Sequence, residues 1–294
     1  MGDVLAGIHS TWEFDTDSVL IRFERGIRTP RLFHVLARRR IPYEALGSVE
    51  LLPGKRGTVV LRAAPRPGAD PLLEAADGRL KDGCDPYRLV LPAEVAAAAE
   101  GCVEKLRTQL PPDAAEPAER HLVPAPAAPL HFKAYDGKAT FDGATVSFHW
   151  FRTGASSAKW RVGDQEFPVG ELEDVEWRPP GAGGHLRLRR RGVAHPEEAD
   201  QDPAAVVFGL GYGLLHESLP FAAAVLEAVR AAEPVMALDT GGRDAGAAHG
   251  GGQAVRADPA DIAERIRHLG ELHEAGLLTD EEFSGKKAQL LAEL

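Results

Sequence analysis

The sequence predicts an α+β protein: two copies of a small antiparallel sheet, each closed by one C-terminal helix, followed by a short two-helix hairpin. Three observations lead there. Blocks of sequence recur at a near-constant offset of 126 or 127 residues. Within the blocks apolar and polar residues alternate, the period of a strand with one buried face. Each copy then ends in apolar residues at three- and four-residue steps, the stripe of an amphipathic helix.

The repeat rests on three collinear blocks. Phe14-Asp15 and Val19 match Phe141-Asp142 and Val146 at an offset of 127. Ile41-Pro42-Tyr43, Leu46 and Val49-Glu50 match Phe167-Pro168-Val169, Leu172 and Val175-Glu176 at 126. Gly57, Leu61 and Arg62 match Gly184, Leu188 and Arg189, again at 127. The copies span residues 7–110 and 130–233, each long enough for a core of its own.

In the first copy, strands are expected at Ser18–Phe23, 40–43, 48–52, 58–63 and 87–91, rich in β-branched residues and punctuated by Pro53-Gly54 and Pro67-Gly68. Pro92 suits a helix start. Val95, Ala99, Cys102, Val103, Leu106 and Leu110 form its apolar stripe. Residues 111–129 are rich in proline and alanine and read as a stiff, semi-extended linker. In the second copy, strands are expected at 145–151, 159–162, 166–169, 175–177, 184–190 and 204–209. Its closing helix is expected to take Ser218 as N-cap and Pro220 in its first turn, with Phe221, Val225, Leu226 and Val229 on one face. Residues 234–257, with Gly241-Gly242 and Gly250-Gly251-Gly252, read as a flexible linker.

The segment 258–294 carries the sharpest local signals. Asp258 and Pro259 suit a helix start, and Ile262, Ile266, Leu269 and Leu272 form its apolar face. Gly276 fits a left-handed helix end against which Leu277 can fold back. Thr279 and Glu282 form a capping box for a second helix that presents Phe283, Leu290, Leu291 and Leu294. Two helices this short cannot bury both stripes against each other, so the surplus must meet another surface. Contact with a protein partner or self-association is therefore expected through Ile262, Ile266, Leu269, Leu272, Leu278, Phe283, Leu290 and Leu291.

Two resemblances follow. Leu269, Leu272, Ala275, Gly276, Leu278-Thr279, Glu281-Glu282-Phe283, Lys286-Lys287 and Leu290-Leu291 resemble the short C-terminal domain, SHOCT, which implies oligomerisation or protein contact. Ser284-Gly285 departs from that pattern, and Gly285 costs about 1 kcal/mol of helix stability against alanine. The two copies resemble a bacterial domain-of-unknown-function family that precedes SHOCT in tandem and is similar to pleckstrin-homology-like (PH-like) domains. The carrying residues are Ile41-Pro42-Tyr43, Leu46 and Val49, and Phe167-Pro168-Val169, Leu172 and Val175. The resemblance implies a seven-stranded, strongly bent sheet or partly open barrel capped by a helix, and brings no catalytic residue.

Composition narrows the function. With 44% hydrophobic and 27% charged residues the chain is globular rather than disordered. Its longest apolar run, near residues 206–215, is roughly half of a membrane span. Residues 1–5 lack the charged and apolar regions of a secretory signal. A cytoplasmic protein is expected, peripheral to the inner membrane face at most. A net charge of −10 disfavours general nucleic-acid binding, which rests on neutralising phosphates. Against that charge, Arg22, Arg25, Arg28, Arg31, Arg38, Arg39 and Arg40 face one acid, Glu24. They form a candidate site for anions or lipid headgroups, with an anionic membrane surface as the alternative partner. A second basic cluster is Arg187, Arg189, Arg190 and Arg191.

No enzyme motif is complete. Gly209, Gly211 and Gly213 lack the final glycine of a dinucleotide loop, since Leu214 stands there. Gly54-Lys55-Arg56 is not a P-loop, and Gly154-Ala155-Ser156-Ser157-Ala158 lacks the second glycine of a nucleophile elbow. His216-Glu217 has no second histidine at metal-binding spacing, and His268 and His273 fall on different sides of one helix. Cys102 reads as a core residue. Cys84, between acids, is expected to be exposed and unreactive. Glu171, Glu173, Asp174 and Glu176 read as a solvated strand edge. The aromatics Phe148, Trp150, Phe151, Trp160, Phe167 and Trp177 read as core. No catalytic residue, metal or cofactor is assigned; a non-enzymatic binding or scaffold protein is the expected class, with anionic-lipid binding as the alternative and an unrecognised hydrolase or transferase as the third reading.

Overall fold

A computed structural model describes residues 3–232. The expected hairpin and its partner-facing residues, and the glycine-rich segment before them, lie outside the described residues.

The first copy runs β1 (Asp3–Ala6), β2 (Ser10–Phe14), β3 (Ser18–Phe23), α1 (Arg31–Leu36), β4 (Arg38–Pro42), β5 (Leu46–Pro53), β6 (Thr58–Pro65), α2 (Pro71–Ala76), β7 (Arg88–Pro92) and α3 (Ala96–Gln109). The second runs β8 (Leu130–Lys133), β9 (Gly137–Phe141), β10 (Thr145–Trp150), α4 (Ser157–Val162), β11 (Gln165–Pro168), β12 (Leu172–Arg178), β13 (His185–Arg190), β14 (Ala205–Val207) and α5 (Leu215–Ala232). Each copy is a four-stranded antiparallel meander followed by a three-stranded one: β1-β2-β3-β4 then β5-β6-β7, and β8-β9-β10-β11 then β12-β13-β14. These are four open sheets, not closed barrels.

The duplication extends to register. Val19 pairs with Ile41 and Val146 with Phe167 at matching positions. A β-bulge follows Leu46 in the first copy and Leu172 in the second. The turn after the first strand reaches the last strand in both: Ile8 N–H donates to the Val90 carbonyl at 2.7 Å, and Tyr135 N–H to that of Val207 at 2.9 Å. A side chain at Gly7 would place its Cβ 2.5 Å from the Val90 carbonyl oxygen, so this close approach requires glycine.

Two expectations about elements are corrected. Lys159–Val162 is part of α4, not a strand: Ser156 caps the helix, its Oγ accepting from the Lys159 N–H, and the turn aims the Lys159 ammonium inward at Asp136. Ser218 is not an N-cap. The helix begins at Leu215, and Ser218 is buried, its Oγ accepting from Trp177 Nε1 and lying 3.0 Å from the carbonyls of Gly213 and Leu214.

The copies do not keep separate cores. Their buried residues form one contiguous cluster, and both lie in one compact unit, Met1–Ala237. The joint is α5, which packs on β8 and β12 of its own copy and on α1 and α2 of the first. Phe221 meets Phe132 edge-on at 5.0 Å. Ala222, Ala223 and Ala224 on α5, and Ala75 and Ala76 on α2, are buried and small enough to let helices approach closely. The 111–129 segment is tied to the first copy: Leu122 and Val123 N–H both donate to the Ala69 carbonyl, and the Arg66 guanidinium holds the Glu116 carbonyl and Asp113.

Candidate binding surfaces

The seven arginines of the basic stretch separate into two groups. Arg39, on β4, points inward and is 5% exposed. Its guanidinium donates to Asp70 at 2.7 Å and to the Tyr87 hydroxyl at 3.1 Å. Asp70 also caps α2 through the Leu72 N–H and accepts from the Tyr87 hydroxyl at 2.5 Å. Burial alone would lower the Arg39 pKa, but the Asp70 charge and the hydrogen bonds to Tyr87 and Asp70 outweigh it and leave it raised. Burial pushes the Tyr87 hydroxyl well above its ordinary value. Arg39 therefore fixes α2 and is withdrawn from any anion site. The sequence could not show this, because the carboxylate that takes it inside lies thirty-one residues on.

The other six are exposed. Arg22 is paired with Glu13 at 2.7 Å, and Arg40 with Asp17 at 3.0 Å. Arg31 begins α1 beside the start of α5. Burial lowers the pKa of His216 there, and the Arg31 charge lowers it further. The guanidinium groups of Arg25, Arg28 and Arg38 enter no hydrogen bond or ion pair among the described residues. Arg25 and Arg28 lie in the β3–α1 loop, and Arg38 opens β4 opposite Arg22.

Within the second basic cluster, Arg187 and Arg189 are taken up by neighbouring carboxylates. Arg187 lies on β13, buried between Asp202 at 3.0 Å and Glu176 at 3.5 Å. Arg189 reaches Glu176 at 2.5 Å. His195 Nε2 accepts the Arg190 N–H, so its Nδ1 carries the proton and donates to Asp202 at 3.0 Å. Burial raises the Glu176 carboxyl, but the neighbouring Arg189, His185 and Arg187 more than reverse this and hold it low. Glu176 thus leaves the expected solvated edge, while Glu171, Glu173 and Asp174 are exposed.

A third charged pair has no counterpart in the sequence reading. Lys159 is fully buried, its ammonium 2.5 Å from Asp136 and 4.9 Å from the centre of the Trp150 ring. Burial is the dominant influence on both members, lowering the lysine's pKa and raising the carboxyl's. The other Asp136 oxygen accepts the Val207 N–H at 2.8 Å, so the pair stitches α4 to the last strand. At the matching place in the first copy, Phe23 stacks on Phe33 at 4.6 Å.

Of the cysteines, Cys102 is buried as expected, and Cys84 is half-buried rather than exposed, which pushes its thiol up. Phe148, Trp150, Phe167 and Trp177 are core, but Trp160 is 45% exposed. No group of three metal-ligating side chains occurs among the described residues. No helix among them is long and apolar enough to cross a membrane.

Residues 12–107 and 139–226, more than half of the chain, each match the family described as Domain of unknown function (DUF4429). The chain belongs to the DUF4429 family. Its two matched segments fall on the two sheet-plus-helix copies, so this DUF4429 chain carries the family's domain in tandem. Residues 264–291 match the Short C-terminal domain, SHOCT. No curated protein matches the chain.

Proposed function

We propose that this DUF4429 protein is a non-enzymatic cytoplasmic scaffold. Its two copies, read as PH-like modules, offer binding surfaces from one rigid body. Its SHOCT segment, read as a helical hairpin, joins that body to further copies or to a protein partner. One observation carries the reading: α5 belongs to the core of both copies, so they present their surfaces in a fixed relation, with the SHOCT segment strung after it. Seven strands and a C-terminal helix in each copy support the PH-like reading. The buried charged groups support a binding role over a chemical one, because Arg39, Lys159 and Arg187 are each consumed by an internal carboxylate that holds a helix or strand in place.

The test uses the full chain with Leu269→Asp and Phe283→Asp together. Light scattering across a concentration series should show the unaltered chain above its 31.5 kDa monomer mass and the double variant at it. If self-association is absent from both, pull-down with the unaltered tail should recover a partner that the variant loses. Identical mass and identical partners in the two proteins would reject the role given to the tail.

A further inference from the structure

We infer that one end of the first copy's four-stranded sheet docks on an anionic lipid surface, with Ile27 as its inserted tip. The β1–β2 turn and the β3–α1 loop leave the sheet at the same end, because Ser10 pairs with Phe23. The two are tied together: Glu24 N–H donates to the His9 carbonyl at 2.9 Å, and His9 Nδ1 lies 3.2 Å from Thr29 Oγ1. Thr29 N–H closes a turn onto the Gly26 carbonyl at 3.0 Å. Ile27 and Arg28 occupy the apex of that turn. Ile27 has a fractional exposure of 106%, and Ile8, on the adjoining turn, 48%. Two aliphatic side chains thus stand in water on loops held by hydrogen bonds.

Their surroundings are basic. Arg25 and Arg28 flank Ile27, Arg38 starts the adjacent strand, and all three are exposed without an ionic partner among the described residues. Glu24 is the acid of the loop itself. The fold does not demand this charge. In the second copy the positions of Arg38 and Arg40 are Asp164 and Glu166, an inversion at the same sheet edge. An aliphatic tip ringed by arginines matches a bilayer interface, where the tip leaves water and the guanidiniums meet headgroup phosphates. A nucleic acid would satisfy the arginines but offers no apolar phase for Ile8 and Ile27. An acidic protein groove would need a larger apolar patch than two separate tips.

The experiment is flotation of the full chain with vesicles of phosphatidylcholine alone and of phosphatidylcholine containing phosphatidylglycerol. Binding should require the anionic lipid and weaken as salt rises. Ile27→Ser should weaken it about tenfold, and Arg28→Ala about fivefold. Ile27 is fully exposed, so its replacement should leave the thermal melt unchanged, and a shifted melt would be resolved by repeating the assay with Ile27→Ala. Leu210→Ser, an exposed apolar residue of the second copy, should change nothing. Equal binding to neutral vesicles, binding indifferent to Ile27, or no binding at low salt would each overturn the inference. So would competition by an oligonucleotide that survives in Ile27→Ser.

Discussion

The closing helices α3 and α5 descend from one repeated segment yet do different work. On α3 only Ala99, Cys102, Val103 and Leu106 are buried, and Glu100, Glu104, Lys105 and Arg107 remain in solvent. On α5, Ser218 through Leu226 are buried without interruption. A helix apolar on all sides must be covered on all sides, and the cover here is α1 and α2 of the first copy. α2 has no helical counterpart in the second copy, where residues 191–204 form a loop around His195 and Asp202. Duplication supplied two similar modules. Divergence of one helix and one loop made them a single body.

The sharpest way to break this comparison is at the anchor of α2. Arg39→Ala leaves Asp70 buried without its cation, and should cost about 3–5 kcal/mol in urea unfolding. Replacing both partners, Arg39→Met with Asp70→Leu, should recover part of that loss, since well-packed apolar residues can substitute for a buried pair. If the single substitution costs under about 1 kcal/mol, Arg39 is not what holds α2.

Next in size are matched truncations on the two helices. Leu226→Ala and Leu106→Ala should each cost about 3 kcal/mol. The difference lies in where the loss is felt. Hydrogen exchange should quicken in α1 and α2 as well as in β8 and β12 after Leu226→Ala, but mainly in β5 and β6 after Leu106→Ala. Faster exchange confined to the second copy in the Leu226 variant would dissolve the claim of a shared core.

The smallest effect concerns Glu74 on α2, which accepts from His121 at 2.8 Å and from Arg230 of α5 at 2.9 Å. The hydrogen bond from His121, with help from Arg230, holds its carboxyl below the ordinary 4.5. Such a group adds stability above its unfolded pKa and loses it as pH falls through the lower folded value. Glu74→Gln should therefore cost about 1 kcal/mol at neutral pH, and the gap between the two proteins should close as pH drops below 4.5. A gap that stays constant to pH 3 would deny the carboxylate that role.

Much of the fold was legible, and the reasons are local. β3 is read without error from Ser18–Phe23, because alternating Val19, Ile21 and Phe23 face the core. The stripe Ala99, Cys102, Val103 and Leu106 gives α3 directly. α1, α2 and α4 are six residues each, under two turns, too short to show a period. Trp160 and Val162 gave α4 the composition of a strand, and the true signal was the Ser156 cap, whose Oγ lies 3.5 Å from Lys159 N. The inner face of α5 was visible in Phe221, Val225 and Leu226, but its second face is alanine, which reads as neutral. At the surfaces, charge could be counted but not placed. Arg39 and Arg40 are neighbours in sequence and point to opposite sides of the sheet, so a run of arginines on a strand divides between core and solvent. Ile27 carried no signal in sequence, since one isoleucine in a loop becomes informative only once its exposure is known.

The position of α5 also bears on how the chain is made. Synthesis proceeds from the N-terminus, so the first copy leaves the ribosome long before residues 215–232 exist. Until they arrive, the part of α1 and α2 that α5 will cover stays bare. A nascent or truncated chain ending in the second copy therefore carries an uncovered apolar seat, a natural target for chaperones and a cause of aggregation when translation stops early.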